Sequence, residues 1–143
     1  MMISTKGRYA LRVMIDLAEH QTDGYIPLKE IAARQNISEK YLESILKVLV
    51  RDRFLTGLRG KGGGYRLTRD PDMYTVGSIL RLTEESLAPV ACLEKSAGEC
   101  PRSDECRTIS MWRGLDTLIN NYFNGITLAD LMGSSQDGDN YVI

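Results

Sequence analysis

The stretch from Leu28 to Leu67 constrains the fold more than any other part of the chain. Leu28, Ile31 and Ala32 fall on one face of a short helix running to Gln35. Gln35-Asn36-Ile37 reads as a tight turn, and Ser38 as the cap of a longer helix from Glu39 to about Asp52. In that helix Leu42, Ile45, Leu46 and Leu49 recur at helical spacing. Two short apolar strands follow, one carrying Phe54, Leu55 and Leu58, the other Tyr65 and Leu67. Between them lies Arg59-Gly60-Lys61-Gly62-Gly63-Gly64, a basic, glycine-rich hairpin tip. A short helix, a turn, a capped helix and a hairpin make a winged helix-turn-helix.

The flanks extend this into a mainly α chain with a small β-hairpin wing. Ahead of it, Tyr9, Ala10, Val13, Met14, Leu17 and Ala18 form the apolar stripe of a helix from Lys6 to Glu19, capped by Ser4 or Thr5. Pro27 restricts Ile26 to extended geometry. Behind it, Thr75 caps a helix through Val76, Ile79, Leu80 and Leu82. A polar loop from Leu87 to Arg107 leads to a long helix, Thr108 to Phe123, closed by Asn124-Gly125. Thr127 caps a last short helix through Leu131. The expected division is a DNA-binding unit over residues 1–72, a cysteine loop with the remaining helices over 73–132, and a disordered polar tail over 133–143.

Charge separates along the same division. Residues 1–69 carry 13 Lys/Arg against 7 Asp/Glu, a net of +6, and residues 70–143 carry 5 against 12, a net of −7. A basic first half suits a polyanionic partner, although solvated charges can segregate without one. No apolar run is long enough for a signal peptide or a membrane span, so a cytoplasmic protein without a membrane partner is expected.

The glycine-rich segment does not match a phosphate-binding loop. Gly60-Lys61 is followed by Gly62 where a Walker loop needs Ser or Thr, and a strand follows where that loop needs a helix. As a wing tip, its Arg59 and Lys61 can enter a minor groove or meet phosphate. On the second helix of the motif, Ser38, Lys40, Tyr41 and Glu43 lie at the end that normally enters the major groove. Lys40 suits phosphate or guanine, and Glu43 suits a cytosine amino group. The alternative for each is an ordinary solvated face. Nothing in the chain suggests a nucleophile elbow or a paired-carboxylate site, so it reads as a non-enzyme. The lone histidine, His20, ends the first helix and reads as a surface residue.

All three cysteines, Cys92, Cys100 and Cys106, fall within fifteen residues. The C-x7-C-x5-C spacing is neither a pair of zinc knuckles nor a C-x-x-C redox pair. Three thiolates in a polar loop suit a soft metal or an iron–sulfur cluster, and three thiols without a role is the alternative.

The blocks STKGRYALRVMIDLA, ISEKYLESILKVLVRDRFLTGLRGKGGGYRL and TVGSILRLTEE together resemble the Rrf-two family of bacterial transcription regulators, most closely its iron–sulfur cluster regulators. The resemblance runs from about Met2 to Leu131. It implies a long C-terminal dimerisation helix and a homodimer reading a pseudo-palindromic double-stranded DNA operator. It places Ser38, Lys40, Tyr41, Glu43 and Arg59 in the DNA-contacting region. It also matches Cys92, Cys100 and Cys106 to three ligands of a two-iron or four-iron cluster, one that aerobic preparation can remove. Those regulators take a fourth ligand from a histidine three residues after the third cysteine, where this chain has Ile109. Nitric-oxide-sensing relatives use an acidic residue near the partner's N-terminus, where this chain has Arg8. The fourth ligand is therefore unassigned, with Asp104, Glu105, Glu99, Ser110, water or a small thiol open. A redox-sensing repressor is expected. One alternative is a cluster-free relative responding to thiol oxidation or a partner protein. Another is an iron–sulfur carrier or thiol oxidoreductase, which predicts no salt-sensitive duplex binding.

Overall fold

The computed structural model describes residues 2–94, 98, 102 and 105–133. Six helices and one hairpin make up the described chain: α1 (Thr5–Glu19), α2 (Leu28–Gln35), α3 (Glu39–Arg51), β1 (Leu55–Leu58), β2 (Gly64–Leu67), α4 (Val76–Thr83), α5 (Ile109–Asn124) and α6 (Leu128–Leu131). Single 3-10 turns occupy Pro71–Met73 and Ala91–Leu93. Mainly helical architecture with a two-stranded antiparallel wing is what the apolar periodicity predicts.

Local chemistry sets the helix ends. Ser4 accepts from the Gly7 amide at 3.0 Å and Ser38 from the Tyr41 amide at 3.1 Å. At both Thr75 and Thr127 the capping hydroxyl and the residue three positions on bond each other's backbone reciprocally. The two helices of the motif close alike. Asn36 (φ 53°) and Arg53 (φ 62°) are left-handed, and the amides of Ile37 and Phe54 bond back to Ala32 and Leu49. Those two residues turn the chain sharply, first into α3 and then into the wing.

The main core joins α1, α2, α3 and the wing through Val13, Met14, Leu17, Ile31, Leu42, Ile45, Leu46, Leu49, Leu55 and Leu67. Tyr74, Ile79 and Leu128 close it from behind. Tyr74 is fully buried, and its hydroxyl donates to the Phe54 carbonyl at 2.8 Å while accepting from the Thr68 and Arg69 amides. A smaller cluster of Val76, Leu80 and Leu87 gathers Ile3, Leu11, Phe123, Ile126 and Leu131 around it. Leu58 of the apolar strand is 49% exposed. It pairs with Gly64 at the outer end of the hairpin, beyond the reach of the core.

The wing is tied to the helices by a third extended segment. Ile26 and Tyr65 exchange both backbone hydrogen bonds at 2.9 Å, which adds the residue before Pro27 to the edge of β2. Gly64 (φ 143°) lies so close that a Cβ there would strike the Ile26 carbonyl.

Helix α5 is attached differently. None of its residues is buried. Arg81 of α4 clamps it by donating to Asn124 at 2.8 Å and Asn120 at 2.7 Å. On its outer face Met111, Leu115, Leu118 and Tyr122 are 56, 38, 67 and 51% exposed. Spacings of four, three and four place them on one stripe.

Candidate nucleic-acid interface

Burying Leu42, Ile45, Leu46 and Leu49 turns Lys40, Glu43, Ser44 and Lys47 outward along the opposite face of α3. This face and the wing are the two walls of an open cleft of about 1000 Å³. Pro27, Leu28 and Lys29 from the start of α2 and Tyr65 of β2 also line it. The sequence-derived residues Lys40, Glu43 and Arg59 converge on this cleft, with exposed Lys61 at the wing tip. The tip is a tight turn closed by the Gly63 amide on the Gly60 carbonyl at 3.0 Å, with Gly60 (φ 90°) and Gly62 (φ 77°) left-handed. An L side chain is disfavoured at both positions.

Ser38 and Tyr41 are placed less freely. The Ser38 hydroxyl is exposed but already accepts the Tyr41 amide. Tyr41 is half-buried, its ring edge-on to Tyr9 at 5.8 Å, and Arg12 stacks on the far partner Tyr9 at 4.6 Å. Arg12 also donates to the Gln35 carbonyl at 2.6 Å, fixing α1 to the turn of the motif. Below that turn, Asp16 of α1 receives Arg34 through two hydrogen bonds of 2.8 and 2.9 Å and Gln35 through one of 2.8 Å. Burial pushes the Asp16 carboxyl up. The bonds from Arg34 and Gln35 and the Arg34 charge outweigh that and hold it below its ordinary value.

The cysteine segment joins this frame through α4 and α5. Cys92 is exposed in the Ala91–Leu93 turn. Cys106 is half-buried two residues before Thr108, which precedes α5, and its sulfur lies 3.5 Å from the Thr108 hydroxyl. That hydrogen bond, helped by the amides of Thr108 and Ile109 and by the Arg113 charge, lowers the thiol below its ordinary value. Cys100, Glu99 and Asp104 lie outside the described residues, as does the tail from residue 134. Glu105, Ser110 and Arg8 are exposed, and Ile109 opens α5. Among the described residues no group of three or more His, Cys, Asp or Glu side chains gathers as a metal site. His20 sits at the far end of α1, with Nδ1 2.8 Å from the Asp16 carbonyl.

The family model for Rrf2, an iron-dependent transcriptional regulator, matches residues 3–134. The chain belongs to the Rrf2 family. An Rrf2 relative from Sodalis glossinidius, the HTH-type transcriptional regulator IscR, is 39% identical over 136 residues, which is 95% of this chain and 81% of that protein. IscR of Yersinia enterocolitica is 38% identical over 134 residues, 94% of this chain and 80% of that protein. Among solved structures, CymR, the global cysteine regulator of B. subtilis, is 36% identical with a TM-score of 0.76, over 94% of this chain and 98% of that chain. IscR of T. potens is 34% identical with a TM-score of 0.72, over 100% and 93%. These relatives make the chain a winged-helix transcriptional regulator of the Rrf2 type and not an enzyme. No helix among the described residues is long and apolar enough to cross a membrane.

Sequence reasoning missed Lys29 and Lys47 of the cleft. The signal for Lys47 was present, because it follows Lys40 by two helical turns on the same face. Lys29 carried none, since only the tertiary fold brings the start of α2 to the wing.

Proposed function

We propose that the chain is a homodimeric repressor whose affinity for a duplex DNA operator is set by an iron–sulfur cluster at Cys92, Cys100 and Cys106. One observation supports this reading above the others. Cys106, whose thiol lies below its ordinary value, stands two residues before the cap of the helix that offers an exposed apolar stripe. A second copy would cover Met111, Leu115, Leu118 and Tyr122, fixing the separation of two α3 helices on a pseudo-palindrome. In each subunit Ser38, Lys40, Tyr41 and Glu43 belong to the major-groove side, and Arg59 and Lys61 to the minor-groove side.

Three thiols suit the cofactor in their chemistry, and of these Cys92 is exposed and Cys106 half-buried with a lowered thiol. When bound, the cluster supplies a centre sensitive to oxidants. Ile109 offers no ligand, so beside the three thiolates the fourth ligand is one of Asp104, Glu105, Glu99, Ser110, water or a small thiol. Cys106 held or released changes the restraint on the first turn of α5, and α5 carries that restraint to the dimer stripe. A coupling of roughly 1–3 kcal/mol is enough for a useful switch. Anaerobically isolated protein is expected to contain iron and acid-labile sulfide and to absorb in the visible, with all three signals lost in Cys92→Ser, Cys100→Ser and Cys106→Ser. Colourless, iron-free protein after anaerobic reconstitution would refute the cluster.

A second reading keeps the operator and drops the cluster. Ile109, the lowered Cys106 thiol and the likeness to the cysteine regulator CymR favour it. It predicts that peroxide alters the duplex affinity of metal-free protein, and that Cys106→Ser abolishes the response.

A further inference from the structure

The cleft between α3 and the wing has a positive excess. Lys29, Lys40, Lys47 and Arg59 line it against Glu39 and Glu43. Lys29 and Lys47 form no ion pair or hydrogen bond within the described structure, whereas Arg34 and Arg51 are both paired. Neither lysine is held by a polar partner, so both ammonium groups are available to a ligand in the cleft. They also enter from different elements, Lys29 from the first turn of α2 and Lys47 from the third turn of α3. Lys47 lies about 10 Å along the helix from Lys40, at 1.5 Å per residue. Glu43 stands between them on the same face and would repel a phosphate, which assigns the bases to Glu43 and the backbone to its flanks.

If α3 occupies a major groove and the wing the neighbouring minor groove, one sugar–phosphate strand must run between them. The cleft is the space left for it. We infer that Lys29 and Lys47 clamp this strand, fixing how deeply α3 and Arg59 enter their grooves without reading sequence themselves. The inference rests on the DNA-binding roles proposed above for α3 and the wing. It adds two positioning residues and names their ligand as the phosphodiester backbone.

Salt dependence of duplex binding separates this role from a structural one. The full chain is titrated by fluorescence anisotropy against a duplex it selects from a random pool, and against a scrambled duplex, between about 50 and 200 mM salt. Each neutralised phosphate contributes about 0.9 to the slope of log affinity on log salt. Lys29→Ala and Lys47→Ala should each flatten the slope by roughly 1.8, because a dimer loses two contacts. The preference for the selected over the scrambled duplex should stay within about twofold. Lys29→Arg and Lys47→Arg should keep the wild-type slope, and so should Arg51→Ala, which removes a cation outside the cleft. Alanine variants that fold, by their circular dichroism melts, yet keep the wild-type slope and affinity would overturn the inference. So would a change in base preference at constant slope. Wild-type protein with no salt-dependent duplex binding would instead defeat the DNA-binding roles on which it rests.

Discussion

Asp16 is the buried charged side chain of the described core, and its three hydrogen bonds decide how α1 meets the helix-turn-helix. Removing its charge leaves Arg34, which is about one-third exposed, without its bidentate partner. Partial access to water moderates the cost of a broken buried pair, so Asp16→Asn should lower unfolding stability by about 2 kcal/mol in urea titrations. The pH dependence follows from its lowered folded-state value. The stabilisation is fully present above the ordinary value of 3.8 and is lost as pH falls through the lower folded value. Asp16→Asn should therefore show a shallower loss of stability than wild type below about pH 4. Neither this ion pair nor the Tyr74 hub is legible in the sequence. Asp16 interrupts the stripe of α1 like a solvent-facing residue, and Arg34 reaches it only after the chain has turned. Tyr74 sits between the wing strand and the helix that starts at Val76, in a stretch without any period of its own.

Elements, by contrast, are legible wherever local chemistry repeats. The stripe of α1, the spacing in α3 and the caps Ser4, Ser38, Thr75 and Thr127 predict helices whose bounds fall within a residue or two of those observed. The hairpin is legible from its glycines, but its anchorage is not. Only the structure shows Ile26 paired with Tyr65, so the wing leans on the entry to α2. Gly64→Ala puts a methyl group against the Ile26 carbonyl at a left-handed φ, and should cost about 1–3 kcal/mol of stability. Its effect on binding should be concentrated at the wing. Discrimination at minor-groove positions of the operator should fall more than discrimination at positions facing α3, as measured with single-base operator variants. Equal losses at both sets of positions would argue against the wing being held by that bridge.

At the scale of the whole molecule, a helix attached through Arg81 and a modest apolar cluster carries an exposed stripe of four large side chains. Leu118 lies at the middle of that stripe. Leu118→Glu should leave the circular dichroism spectrum intact, shift sedimentation from dimer towards monomer, and weaken operator binding at least tenfold. A variant that remains dimeric would move the subunit contact away from α5. The cysteine segment joins α4 to α5, and Cys106 stands three residues before the first residue of α5. Control of operator affinity by the state of Cys92, Cys100 and Cys106, as proposed, is decided by titrating one operator duplex with the same anaerobic preparation before and after its iron and sulfide are removed. The expected result is a change in affinity of about tenfold or more, corresponding to roughly 1.4 kcal/mol, and no such change in Cys106→Ser. Equal affinity of loaded and stripped protein would contradict it.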